Sequence, residues 1–119
     1  MGNKLPKSVW IGTIGEVLAQ LRLLEFGIQS APPIKDSGND LIAIKGEIVK
    51  YIQVKTKLDG NSYSKNLPEI YHLLFCVDLK YGENDGGLMF DSSVITVFNK
   101  NGDNLGILNQ QIVDELWSH

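Results

Sequence analysis

Three polar residues in the first half of the chain are of types that act together at a metal site, two as ligands of a divalent cation and one as a positive charge beside it, and their spacing favours a shared site. Asp40 begins a short apolar segment, and Gln53 and Lys55 lie on the next one, with the turn Gly46-Glu47 between the two. Because alternate residues of a strand share a face, Gln53 and Lys55 point the same way. A hairpin centred on this turn pairs Asp40 with Gln53, so we expect one ion to contact both.

Such a set of side chains is suited to phosphodiester hydrolysis. Magnesium prefers one or two protein carboxylates, with water and substrate phosphate in its other positions. Asp40 supplies a carboxylate, Gln53 a neutral carbonyl oxygen and Val54 a backbone carbonyl. The Lys55 ammonium is placed to orient the attacking water and to offset charge in the transition state. The alternative interpretation is that Lys55 is a solvent-facing strand residue balanced by Asp40.

The elements that must position these residues form a mixed α/β pattern. Apolar spacing predicts a helix over residues 12–26, ended by Gly27, and a hairpin over residues 40–56. Residues 58–66 are predicted to be a loop and residues 67–71 a helical turn. Strands are predicted at 73–79 and 93–99, and a helix at 109–117. We expect one domain, residues 1–119, in which a central mixed sheet is flanked by helices.

These residues, in this order, resemble the PD-(D/E)XK phosphodiesterase superfamily. The similarity rests on Glu16 in the first helix, on the run Ser37-Gly38-Asn39-Asp40, and on Gln53-Val54-Lys55. The chain is similar in particular to small Holliday-junction-resolvase-like and homing-endonuclease-like members whose last motif reads Gln-x-Lys. The resemblance implies a restriction-endonuclease-like core of the αβββαβ type, Mg²⁺ or Mn²⁺ as cofactor, and DNA as substrate.

The resemblance also assigns roles to individual positions. Asp40 matches the metal-binding aspartate of the family, and Lys55 matches its catalytic lysine. Gln53 departs from the pattern, because most members have Glu or Asp there, and the metal site therefore loses one negative charge. Glu16 matches a helix glutamate that contributes to the site in related families. Its alternative role is to stabilise the positive end of the helix dipole.

Charge is distributed unevenly along the sequence, and this bears on whether the protein binds nucleic acid. Residues 1–66 contain nine Lys or Arg and six Asp or Glu, whereas residues 67–119 contain two and eight. A basic half facing phosphate fits a nucleic-acid enzyme, although a solvated surface of uneven charge explains the same counts. The predicted DNA contacts are Lys35, Lys50, Lys57 and Lys65, with Lys4 and Lys7 adding to the positive potential.

Two functions remain open at this point. The leading one is a magnesium-dependent endonuclease that cleaves DNA as a homodimer, and the alternative is a catalytically inactive nuclease-like fold that binds nucleic acid or protein. An unrelated α/β domain is a third interpretation. The single cysteine, Cys76, excludes an internal disulfide and is expected to be a buried core thiol. His72 is expected to be a strand-end residue, and the lack of a signal peptide or membrane span predicts a cytoplasmic protein.

Overall fold

The computed structural model describes residues 6–34, 40–58, 61–63, 71–80, 87 and 89–118. A long helix precedes a sheet, and a short helix follows it. The elements are α1 (Lys7–Glu25), β1 (Gln29–Ala31), β2 (Leu41–Lys45), β3 (Ile48–Leu58), β4 (Asn61–Tyr63), β5 (Leu73–Leu79), a 3₁₀ turn (Phe90–Ser92), β6 (Val94–Asn99), β7 (Asn104–Ile107) and α2 (Gln110–Leu116).

The strands form one mixed sheet in the order β1-β2-β3-β5-β6-β7, and β4 pairs with the far end of β3. β3 and β5 run parallel, and the other neighbouring pairs run antiparallel. The hairpin of β2 and β3 pairs Leu41 with Ile52 and Lys45 with Ile48, which is the register predicted from the turn. The predicted α/β architecture with a central mixed sheet is therefore confirmed.

Helix α1 begins earlier than its apolar pattern suggests. Pro6 occupies the N-cap position, and its carbonyl accepts hydrogen bonds from the backbone N–H groups of Val9 and Trp10. Proline suits this end of a helix because the first N–H groups have no partner within the helix. The helix ends before Gly27, whose φ of 82° lies in the left-handed region that favours glycine.

The hydrophobic core lies between one face of the sheet and the two helices. Burial alternates along β5, where Leu73, Phe75, Val77 and Leu79 are buried and the residues between them are half-buried. The apolar residues of α1 and α2 belong to the same buried cluster. We call this side of the sheet the apolar face. The opposite side, which carries Gln53, Lys55 and Lys57 of β3, is called the polar face.

Several expectations need correction. The predicted loop at 58–66 contains β4, and the short strands β1 and β7 were not predicted. Cys76 is half-buried on the polar face instead of lying in the core, because β5 buries its odd-numbered residues, from Leu73 to Leu79, and turns its even-numbered residues to the other side. The predicted helical turn at 67–71 falls outside the described residues except for Tyr71, which has no regular structure.

Candidate active site

Strand β3 holds the residues proposed for chemistry on its polar face. Its even-numbered positions from Ile52 to Leu58 are buried against α1 and the core, so Gln53, Lys55 and Lys57 leave the strand on the other side. The parallel register places these three beside Leu74, Cys76 and Asp78 of β5. Burial falls along the row, from Gln53 at 3% exposed to the exposed Lys57.

Asp40 meets β3 between Gln53 and Lys55. Its backbone N–H donates to the carbonyl of Ile52 at 3.1 Å, and its Oδ2 accepts the backbone N–H of Val54 at 2.8 Å. Regular pairing of β2 ends at Leu41, and the Asp40 carboxylate takes the next β3 donor in place of a backbone carbonyl. Two hydrogen bonds thus hold Asp40 against the strand segment that carries Gln53 and Lys55.

The side-chain oxygen of Gln53 is buried without a hydrogen-bond partner among the residues that the structure describes. Leaving such an acceptor unpaired costs about 1–3 kcal/mol. Gln53 is also the one buried residue on the polar face in the described part of the sheet. A cation that binds this oxygen as a ligand would remove the free-energy cost of leaving it unpaired.

The available donors fit a hard divalent ion that keeps much of its water. No group of three or more His, Cys, Asp or Glu side chains is arranged to hold a metal within the described ranges. The two candidate donors at the β2–β3 hairpin are the Asp40 carboxylate, which accepts the Val54 amide, and the side-chain oxygen of the preceding residue, Gln53. Magnesium is bound in this way when water and substrate phosphate fill its remaining positions.

Glu16 approaches the sheet from the apolar side. The preceding residue, Gly15, packs so closely on β3 that a Cβ there would overlap the side chain of Thr56. Glu16 is half-buried and is itself engaged in a polar or electrostatic interaction. Gln53 and Lys55 leave β3 on the polar face, so the meeting of Glu16 with these two residues stays a prediction.

Lys55 and Lys57 shape the electrostatics of the polar face. Burial raises the pKa of the Cys76 thiol, and the positive charges of Lys57 and Lys55 act in the opposite direction. The two ammonium groups are therefore close enough to Cys76 to influence it, which agrees with the register of β3 and β5. Of the other predicted DNA contacts, Lys50 is half-buried, and Lys35 and Lys65 lie outside the described residues.

An aromatic pair next to this site was missed from the sequence. The His72 N–H donates to the Tyr51 carbonyl at 2.9 Å, and the Tyr51 N–H donates to His72 Nδ1 at 2.8 Å. Their rings stack with centroids 5.3 Å apart. The sequence offered one signal, since Tyr51 continues the alternation of Gln53 and Lys55, but the contact with His72 depends on the β3–β5 pairing.

Comparison with known proteins bears on the fold. No family model and no curated protein sequence matches the chain. Among solved structures, the chain is similar to the bacterial homing endonuclease I-Ssp6803I, with a TM-score of 0.55 and 16% sequence identity over 87% of this chain and 80% of that one.

The fold is nuclease-like. At this level of identity the likeness concerns the fold alone, and the roles of individual residues rest on the geometry described above. In addition, no helix in the described part of the chain is long and apolar enough to cross a membrane.

Proposed function

We propose that this protein is a metal-dependent nuclease that hydrolyses phosphodiester bonds in DNA. The observation that carries the proposal is the buried, unpartnered Gln53 oxygen beside the backbone amide that holds Asp40. Unlike the buried Thr56 hydroxyl, which faces Gly15 on the apolar side, this oxygen belongs to the residue next to the amide that holds a carboxylate, so one divalent ion would bind both. The similarity to a homing endonuclease supports the same reaction class.

In this proposal Asp40 and Gln53 hold Mg²⁺ or Mn²⁺, with Glu16 and the Val54 carbonyl as further candidate ligands. The bound ion would supply Lewis-acid stabilisation of the negative charge that develops on the phosphate. Asp40 is kept in place by its hydrogen bonds to β3, and Gln53 by its burial in the sheet. Preorganised ligands of this kind need no rearrangement when substrate arrives.

Lys55 acts on the water and on the phosphate. Its ammonium lies two residues beyond Gln53 on the same face, about 7 Å along the strand. There it orients the attacking water, whose oxygen forms a bond to phosphorus while the bond from phosphorus to the leaving sugar oxygen breaks. The water loses a proton, and the leaving oxygen gains one. The products are a phosphomonoester end and a hydroxyl end.

We further infer that two copies associate through the outer side of α1. A groove of about 810 Å³ runs between α1, β1, β2 and the segment that follows β1, and none of the described residues lining it is charged. Val17, Leu21 and Leu24 lie along one stripe of the helix and are each about half exposed. An uncharged surface suits a second copy better than it suits DNA. A dimer would give each strand of a duplex its own site.

A cleavage assay with matched variants tests the proposal. Asp40→Asn removes a metal-binding charge, so metal affinity and cleavage of labelled duplex DNA should fall together. Lys55→Ala should abolish cleavage and leave metal binding intact or slightly tighter, because it removes a cation that repels the metal. Lys80→Ala is the control, since Lys80 pairs with Asp78 at the far end of β5. If Lys55→Ala cleaves as fast as the parent, the assignment of Lys55 is wrong.

A further inference from the structure

A cluster of donors lies beside the candidate active site and has no part in the mechanism above. Tyr51 is the next residue before Gln53 on the polar face of β3, about 7 Å along the strand. His72 lies beside it, held by one hydrogen bond between the two backbones and by one from the Tyr51 backbone N–H to His72 Nδ1. Lys50 precedes Tyr51 and so leaves β3 on the opposite face, whereas Lys100 follows Asn99, the β6 partner of Leu73. We call Tyr51, His72 and Lys100 the histidine platform.

The hydrogen bond from Tyr51 fixes the state of the His72 ring. A backbone N–H is always a donor, so Nδ1 of His72 must accept and carries no proton. A neutral imidazole with an unprotonated Nδ1 holds its proton on Nε2. His72 is an exposed side chain, and its ring is stacked on Tyr51 with an interplanar angle of 21°. The platform therefore presents one oriented N–H donor.

Lys100 gives the platform its positive charge. It follows Asn99, which pairs with Leu73, the residue after His72. Burial lowers the pKa of His72, and the positive charges of Lys50 and Lys100 lower it further. The arrangement combines an N–H donor with a positive charge, which is suited to a phosphate group.

The turn that carries Lys100 is closed by several hydrogen bonds. The Asn99 side-chain oxygen accepts the backbone N–H groups of Asn101 and Asp103, both at 2.9 Å. The Asn99 backbone N–H donates to the Asp103 carbonyl at 3.0 Å. Asp103 is drawn toward Asn99, whose side-chain N–H donates to its carboxylate. These bonds define the backbone of the turn in which Lys100 follows Asn99, the β6 partner of Leu73, the residue after His72.

From this geometry we propose that the histidine platform binds a DNA phosphate next to the one that is cleaved, through His72 Nε2–H and Lys100. The inference rests on the proposed DNA substrate and adds a second contact point to it. The spacing of the platform from Gln53 along β3 is comparable with the spacing of successive phosphates on a strand. Binding there would set the register of the DNA backbone relative to Asp40 and Lys55 without reading its sequence.

The two kinds of donor make different predictions for salt dependence. Lys100→Ala removes a cation, so it should weaken duplex binding and reduce the slope of log K against log salt by about 0.9. His72→Asn keeps an acceptor for the Tyr51 N–H but removes the Nε2–H donor. It should weaken binding roughly tenfold with an unchanged slope, because a neutral donor releases no counterion. His72→Gln returns an amide N–H near the position of Nε2 and should recover part of the affinity.

Fluorescence anisotropy with a labelled duplex, measured without divalent metal over a range of salt concentrations, gives these quantities. Lys80→Ala is the matched control, because it removes the same charge at the other end of β5, about 25 Å away. Parental affinity and slope in His72→Asn and Lys100→Ala would overturn the proposal, as would an equal loss in Lys80→Ala.

Cleavage measured separately with Mg²⁺ distinguishes the two claims. If the parent cleaves DNA while the platform variants bind like the parent, the platform is wrong and the nuclease stands. If the parent binds but does not cleave, and the variants bind more weakly, the platform stands and the nuclease is wrong. A parent that binds no DNA at low salt overturns both.

Discussion

Replacing Gln53 with methionine separates two effects of its buried oxygen: the loss of stability that it causes without metal, and its proposed contribution to binding Mg²⁺. Methionine has a similar length and shape but no carbonyl, so Gln53→Met removes an acceptor on a side chain that is 3% exposed. That acceptor has no partner among the described residues, which costs about 1–3 kcal/mol. We therefore expect the metal-free variant to be more stable than the parent by about 1–3 kcal/mol. For a domain of this size each kcal/mol raises Tm by roughly 3–6 °C.

Magnesium should change this order. The parent gains stability as the ion binds, about 2.7 kcal/mol when the free ion is at one hundred times Kd. Gln53→Met has lost one of the two proposed ligands and should gain much less at the same concentration. The variant is then the more stable protein without Mg²⁺, and its advantage shrinks or reverses as Mg²⁺ is added.

Denaturant unfolding of both proteins, with and without Mg²⁺, measures the effect. Thr56→Val is the matched control, because the Thr56 hydroxyl is also buried and unpartnered in the described structure but faces Gly15 on the apolar side. It should stabilise the protein equally with and without the ion. If Gln53→Met is less stable than the parent without metal, or responds to Mg²⁺ as the parent does, the reasoning about the Gln53 oxygen is refuted.

Three further perturbations test the packing, the platform and the dimer. Gly15→Ala should destabilise the fold by about 1–2 kcal/mol, because the overlap with Thr56 outweighs the higher helix propensity of alanine. Denaturant unfolding measures this loss, and a smaller loss would mean that α1 shifts to relieve the overlap. His72 should titrate below its ordinary pKa of 6.5, because of its burial and the positive charges of Lys50 and Lys100. Its neutral form then contributes stability that is complete above pH 6.5 and is lost as the pH falls below that value. An NMR titration with a midpoint at or above 6.5 would contradict this. Leu21→Glu should weaken the dimer more than a hundredfold, about 3 kcal/mol, since a symmetric interface contains the new charge twice. Light scattering measures the dimer affinity, and an unchanged affinity in this variant would show that the groove is not the interface.

The local part of the fold was predictable from the sequence. The Gly46-Glu47 turn fixes the hairpin register, and the period of two along β3 separates Gln53 and Lys55 from the buried residues between them. Both signals act over a few residues, so they survive without knowledge of the rest of the chain. The long strand β5 and helix α2 were predicted for the same reason.

The missed features depend on contacts between distant segments. β1 and β4 have three residues each, which is too short for an apolar period, and they are strands only because β2 and β3 offer them partners. The stacking of His72 on Tyr51 follows from the parallel pairing of β3 and β5, across a connection that no local pattern specifies. The turn predicted the register that places Asp40 opposite Gln53, but it did not predict that regular pairing ends one pair earlier, at Leu41, or that the Asp40 carboxylate accepts the Val54 amide.

The most direct test of the central claim is the position of a bound metal ion. Crystals of the protein soaked with Mn²⁺ should give one strong anomalous peak at the hairpin of β2 and β3, about 2.1–2.2 Å from a carboxylate oxygen of Asp40 and from Oε1 of Gln53. The same peak should be absent from crystals of Asp40→Asn. A Mn²⁺ ion bound elsewhere, or a Gln53 oxygen that is hydrogen-bonded to protein with no ion near it, would contradict the account.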